Sequence, residues 1–205
     1  MIIVISNPTV IANEQESINQ LFDEGLEIFH VRKKGYSENE MRIFIEQIPE
    51  KYFNRVVLHS HYQLANEYNL KGIHVPLDFK TEDSKLTKSF SFHSIGEIEK
   101  YDKKFAYGFL SPVFDSISKQ GYKSKLDLKE IDVFLQTYKS LSPMGRAGDG
   151  LLLLALGGID EDKIDIIKEL GFSGIALLGA IWQSKNPIEK FKRIKEKWLK
   201  TELMY

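Results

Sequence analysis

The sequence predicts an α/β fold, a single small (β/α)8 barrel of the TIM type, from three observations. Short apolar runs occur eight times in the 205 residues and alternate with segments of helical periodicity. The run 151–156 is apolar at every position, which is typical of a parallel strand covered on both faces. The Gly-x-Gly-x-x-Gly run of a dinucleotide-binding open sheet does not follow the first apolar run.

Strands are predicted where each apolar run ends at glycine, proline or polar residues. They cover residues 2–5, 27–31, 55–58, 72–75, 89–92, 105–110, 151–156 and 174–178. The polar segment 80–88 is predicted to be a loop with at most one helical turn.

Helices are predicted between these strands from caps and apolar spacing. Capping boxes are predicted at Asn13 with Glu16, Ser37 with Glu40, Ser94 with Glu97 and Asn186 with Glu189. Asp160 is expected to cap a helix that ends at Gly171, and Pro187 is expected to begin the last helix. Residues 64–68 and 126–138 carry helical periodicity alone.

Length and composition favour one domain spanning residues 1–205, with a flexible loop near 140–150. A net charge of −1 provides no overall field for nucleic acid or an anionic membrane, and no apolar run has the length of a membrane span. The absence of cysteine excludes disulfides and thiolate catalysis and fits a cytoplasmic enzyme. The sequence leaves open whether the chain is a homo-oligomer.

Candidate site residues follow the strands at their carboxyl ends, where the active sites of such barrels lie. All five histidines occur at such ends. The basic residues Arg32, Lys34 and Lys119 are expected to face the glycine turns after strands seven and eight. Basic side chains opposite backbone N–H groups predict a site for a phosphorylated small molecule.

The chain resembles the family of thiamine phosphate synthase and the TenI thiazole tautomerase, which share one small (β/α)8 barrel. The resemblance covers nearly the whole chain, in order and in spacing. Its motifs are His30-Val31-Arg32-Lys33-Lys34, Gly72-Ile73-His74, Ser91-Phe92-His93-Ser94, Ser111-Pro112-Val113-Phe114 with Ser116, Ser118 and Lys119, Leu156-Gly157-Gly158-Ile159 and Gly174-Ile175-Ala176.

The resemblance implies that the protein couples thiazole phosphate to pyrimidine methyl diphosphate, giving thiamine phosphate and diphosphate. It assigns the leaving diphosphate to Arg32, Lys34 and Lys119, with hydrogen bonds from Ser91, Ser116 and Ser118. His30 is added to the substrate-binding residues from its place at the end of strand two. The thiazole phosphate is assigned to the turns formed by Gly157, Gly158, Leu178 and Gly179. The resemblance also implies Mg²⁺ as the cofactor of a synthase.

The chain departs from the synthase pattern at both positions that would bind Mg²⁺. The pattern has Asn-Asp after strand three, where this chain has His59-Ser60. It has Gly-Gln-x-Asp after strand four, where this chain has 76–79, so Asp78 is a displaced metal candidate. Mg²⁺ prefers carboxylate oxygens to imidazole.

These departures keep three other functions open. A TenI-like thiazole tautomerase needs no magnesium. The catalytic histidine of that branch aligns with Pro112, so His59, His61 or His30 would have to act as the general acid–base. A non-catalytic phosphate-binding barrel and a barrel acting on another phosphorylated metabolite also fit.

Overall fold

The computed structural model describes residues 1–79, 85–101, 105–115, 124, 126–141 and 151–200, and it confirms the (β/α)8 barrel. All neighbouring strands pair in parallel, and β1 closes on β8. The strands are β1 (Ile2–Ile5), β2 (Ile28–Val31), β3 (Val56–Leu58), β4 (Gly72–His74), β5 (Thr87–Phe92), β6 (Tyr107–Leu110), β7 (Leu152–Leu156) and β8 (Gly174–Leu177).

Helices connect the strands on the outside of the barrel. They are α1 (Glu14–Asp23), α2 (Glu38–Glu46), α3 (Gln63–Glu67), α4 (Ile95–Tyr101), α5 (Leu128–Leu141), α6 (Ile164–Leu170), α7 (Gly179–Trp182) and α8 (Pro187–Lys200). Short 3-10 helices precede β3 (Glu50–Arg55) and α6 (Glu161–Lys163). No helix in the described ranges is long and apolar enough to cross a membrane. The predicted flexible loop falls mostly on residues 142–150, outside the described ranges.

Side chains alternate between the two faces of each strand, and this alternation separates two apolar cores. Outward side chains of the strands pack against the helices in the larger core, and the inward ones, such as Ile3, Val57 and Phe109, form the smaller core inside the barrel. The interior is polar on one side, because β2, β4 and β5 turn His30, His74, Ser89 and similar side chains inward. This polar side borders the site described below.

Two strand predictions need correction. Leu152 was expected to be buried on both faces, but it is 44% exposed. Leu152 points to the inside of the barrel, as Leu154 does two residues later. It lies at the amino end of β7, where the barrel opens to solvent. Thr87 and Lys88, predicted as loop, belong to β5 because they pair with Gly72 and Ile73 of β4.

The predicted capping boxes have different outcomes. Ser37 and Glu40 form both hydrogen bonds of the box. Ser94 forms one of the two, in which its hydroxyl accepts a hydrogen bond from the Glu97 amide. The Asn186 side chain likewise accepts a hydrogen bond from the Glu189 amide. The box at Asn13 is wrong. Asn13 has a φ of 57° and makes no side-chain cap, because a left-handed residue does not have the extended backbone of an N-cap.

A buried ion pair joins the first helix to the end of β2. The Lys33 ammonium contacts the Glu14 carboxylate, and it also donates to the carbonyls of Asn7, at 2.8 Å, and Thr9, at 3.1 Å. The Lys33 residue is 3% exposed and Glu14 is 5% exposed. Burial raises the pKa of Glu14 despite the neighbouring lysine. Lys33 therefore fixes the β1 loop and is not available to a substrate.

Lys33→Met should lower the free energy of unfolding at pH 7 by about 3–5 kcal/mol, because it leaves the Glu14 carboxylate buried without its partner. Urea denaturation measures this value. The adjacent Lys34 is exposed, so Lys34→Met is the matched control and should change stability by less than about 0.5 kcal/mol. Equal effects of the two substitutions would contradict a structural role for the pair.

Candidate active site

Two adjoining cavities open at the carboxyl end of the barrel. The first has a volume of about 400 Å³ and the second about 510 Å³. Both are lined by Arg32, His59, His74, Ser91 and His93. No carboxylate lines either cavity in the described part of the chain. The cavities therefore suit an anionic ligand.

Glycine turns form one wall of the first cavity, as predicted. Gly157 and Gly158 follow β7 with φ values of 98° and 65°, and Leu178 and Gly179 follow β8 in the same wall. A Cβ atom on Gly158 would lie 2.2 Å from the carbonyl oxygen of Asp115. Glycine is required there by both the backbone angle and the close approach of the loop after β6. Gly179 begins α7, and the first amides of a helix have no acceptor within it. The glycine turns can thus hold a phosphate.

Basic side chains form a second wall of the cavities. The backbone amide of Arg32 donates to the Ser6 hydroxyl at 2.8 Å, which fixes the end of β2 against β1. Arg32 lines both cavities, and the exposed Lys34 lines the second. Ser91 lines both as well. These positions agree with the expected anion-binding roles, which stay predictions.

Three histidines, one on β2, one directly after β3 and one on β4, meet in the barrel interior. We call His30, His59 and His74 the histidine cluster, because one ring nitrogen of each lies within 4.8 Å of the others. His30 Nδ1 lies 2.9 Å from His59 Nε2, and His30 Nε2 lies 2.7 Å from the Tyr107 hydroxyl. The rings of His59 and His74 stack with centroids 4.2 Å apart.

Burial keeps the histidine cluster uncharged. It lowers the pKa of His74 to about 3, with Arg32 as the second cause. Burial also lowers the pKa of His30 and of His59 well below the usual range, and the other imidazoles of the cluster add to this effect. Neutral imidazoles can accept a proton, donate one or bind a metal ion.

Other predicted residues have different positions. The His61 ring Nε2 lies 2.8 Å from the Tyr36 carbonyl, at the edge of the second cavity and outside the histidine cluster. His30 is completely buried beneath the cavity, so it cannot contact a substrate directly. Asp78 is exposed and lines neither cavity. Ser116, Ser118 and Lys119 lie outside the described residues.

Sequence reasoning missed Tyr107, and it placed His74 at the end of strand four without assigning it a role in the site. A signal for His74 was present, since the β3–β4 register continued by one residue places His59 opposite His74. His30 also lies two residues after Ile28 in β2, so its side chain points to the same interior face as Ile28, which belongs to the smaller core. Tyr107 gave no such signal, because it begins its strand and reaches His30 across the barrel.

The cavity does not suit Mg²⁺ at its described residues. Mg²⁺ requires hard oxygen ligands, usually one or two carboxylates with water and phosphate oxygens. The described groups nearest the expected ligand positions are Ser60, a neutral hydroxyl, and the imidazoles of the histidine cluster. No step of the mechanism below is therefore assigned to magnesium.

Fold and cavity together define a (β/α)8 barrel with a basic site whose described lining has no carboxylate. Residues 2–181 match the family described as thiamine monophosphate synthase (TMP-TENI), and the chain belongs to this family.

Relatives agree with this assignment. A solved thiamine phosphate pyrophosphorylase from Bacteroides thetaiotaomicron is 30% identical, with a TM-score of 0.80, over 100% of this chain and 98% of that one. The thiamine-phosphate synthase of Bacteroides fragilis is 27% identical over 87% of this chain and 90% of its own length. The synthase of Staphylococcus haemolyticus is 26% identical over 84% and 82%.

Gly158→Ala should destabilise the protein more than Gly35→Ala, as measured by urea denaturation. Both positions have positive φ, but a Cβ on Gly35 meets nothing within 4 Å. Gly35→Ala should cost about 1–2 kcal/mol of backbone strain. Gly158→Ala should cost about 1–3 kcal/mol more, because the Phe114–Asp115 backbone must move. Equal costs would show that the glycine turn does not depend on this close approach.

Proposed function

We propose that this protein is a thiamine-phosphate synthase-type transferase that joins thiazole phosphate to pyrimidine methyl diphosphate, releasing diphosphate. The observation that supports this proposal most directly is that the glycine turns and Arg32 line the same cavity. Membership in the thiamine monophosphate synthase family supports a role in thiamine biosynthesis.

The thiazole phosphate belongs at the glycine-turn wall. Its phosphate accepts hydrogen bonds from the amides of Gly158 and Gly179, in the manner of anions at helix N-termini and tight turns. The apolar surface between the walls, formed by Ile5, Phe109 and Leu156, receives the thiazole ring.

The pyrimidine diphosphate belongs at the basic wall and in the second cavity. Arg32 and Lys34 line that cavity, which suits the diphosphate oxygens on which negative charge develops on departure. Lys119, on the loop after β6, is proposed to add a third cation. Arginine binds phosphate oxygens in a bidentate way, so Arg32 also sets the orientation of the leaving group.

The reaction consists of one bond broken and one formed. The methylene carbon–oxygen bond breaks, and its electron pair leaves with the diphosphate. The thiazole nitrogen then gives its lone pair to the methylene carbon of the pyrimidine cation. The protein's contribution is to position both substrates and to stabilise negative charge on the leaving oxygens. The uncharged histidine cluster adds no positive charge that would oppose the pyrimidine cation.

A TenI-like thiazole tautomerase is the second candidate function. The observation that favours it is the neutral imidazole of His59 in a cavity whose described lining has no carboxylate. A neutral histidine can take a proton from one ring position and return it at another. This reaction needs only the thiazole phosphate half of the cavity.

The test is to incubate the protein with each thiazole phosphate tautomer, with and without pyrimidine methyl diphosphate, and to identify products by mass and NMR. The synthase proposal predicts thiamine phosphate and diphosphate in equal amounts. Isomerisation without the pyrimidine substrate would instead support the tautomerase. The absence of both products would contradict both and favour a non-catalytic barrel.

Arg32→Gln should lower kcat/KM for condensation by about 100-fold or more, the range found when one stabilising donor is removed. The matched control is Arg42→Gln on α2. Arg42 pairs with Glu38 and Glu67 on the surface and lines neither cavity. Equal rates for the two variants would contradict the assignment of Arg32 to the diphosphate.

A further inference from the structure

Imidazole nitrogens converge in the histidine cluster, and the proposed condensation reaction does not use them as metal ligands. One ring nitrogen from each of His30, His59 and His74 lies within 4.8 Å of the other two. His30 lies on β2, His74 lies on β4, and His59 is the residue directly after β3. The His59 amide donates to the Val31 carbonyl and so continues the pairing of β2 with β3, which fixes all three positions relative to the barrel.

Outer hydrogen bonds determine which nitrogens face one another. Tyr107 holds His30 Nε2 at 2.7 Å, which leaves His30 Nδ1 directed at His59 Nε2. The buried Ser89 hydroxyl lies 2.9 Å from His74 Nδ1, which leaves His74 Nε2 on the side of Ser91 and the first cavity. Protein metal sites commonly hold the second nitrogen of each histidine ligand in this way.

We propose that His30 Nδ1, His59 Nε2 and His74 Nε2 form a three-histidine site for a borderline divalent transition-metal ion, with Zn²⁺ as the best match. Imidazole nitrogens suit this class of ion. Three histidines with an open fourth position are the ligand set of one kind of catalytic zinc site. The proposal stands independently of the reaction, because it concerns binding by the protein alone.

The spacing of one pair of nitrogens is close to what a tetrahedral ion requires, and the His74 nitrogen lies within 4.8 Å of both. Two nitrogens bound to one Zn²⁺ at about 2.0–2.1 Å lie about 3.3–3.4 Å apart. His30 Nδ1 and His59 Nε2 are 2.9 Å apart and share one proton. Replacing that proton with the ion needs a separation of only a few tenths of an ångström.

The fourth position would open toward the first cavity. His59 and His74 line that cavity, whereas His30 lies beneath it. Arg32 lines the same cavity and opposes a second positive charge, so the fourth ligand is expected to be hydroxide or an anionic oxygen of a phosphorylated molecule. A bound ion would thus contact a phosphorylated molecule, the class of substrate proposed for this cavity.

The experiment uses tag-free, full-length protein stripped of metal with a chelator and titrated with Co²⁺, a spectroscopic substitute for Zn²⁺. The expected result is the intense visible absorption of four-coordinate Co²⁺, saturating at one ion per chain and removed by Zn²⁺. A large excess of Mg²⁺ should not displace the ion. No visible band, or displacement by Mg²⁺, would overturn the proposal without any variant being needed.

Variants locate the ion. His59→Gln removes a ligand at the cavity surface and should weaken Co²⁺ binding by more than the 10–100-fold typical of losing an outer partner. Tyr107→Phe removes such a partner and should weaken binding within that 10–100-fold range. The control is His61→Gln, because His61 is bonded to the Tyr36 carbonyl, lies outside the histidine cluster and does not line the first cavity. Equal affinity of His59→Gln and His61→Gln would place the ion elsewhere and overturn the proposal.

Discussion

The hydrogen-bond chain from Tyr107 through His30 to His59 is the interaction on which the site depends. It crosses the barrel interior from β6 to β2 and then to the end of β3, with contacts of 2.7 and 2.9 Å. His30 is completely buried and both of its ring nitrogens have partners, so the ring cannot rotate without losing a buried hydrogen bond. This fixed ring supports the cavity floor beneath His59 and His74.

The barrel interior is polar on one side and apolar on the other. Strands β2, β4 and β5 turn imidazoles and hydroxyls inward, whereas the inward side chains of β7, β8 and β1 are aliphatic, such as Leu154, Ala176 and Ile3. The glycine turns follow the apolar strands, and Arg32 follows a polar one. A ligand with a phosphate at one end and a flat ring at the other matches this division.

Much of the barrel was predictable, because strand and helix periods, capping boxes and glycines are local signals. The capping box at Ser37 is complete in four residues of sequence. The Asn13 box failed because Asn13 has a left-handed backbone, which the Asn13–Glu16 spacing does not reveal. The histidine cluster depends on the register between strands, and Tyr107 on a contact 77 residues away in sequence. Lys119 stays a prediction of the family resemblance.

The most direct test of the central claim is a crystal structure of the protein with thiazole phosphate bound. The claim is that one cavity holds a phosphate between two glycine turns and presents the attached ring to a fixed cluster of neutral histidines. The expected result is phosphate density at the amides of Gly158 and Gly179, with the thiazole ring over Phe109 and facing His59. Phosphate bound at Arg32, with the glycine turns empty and the ring directed to solvent, would contradict the account.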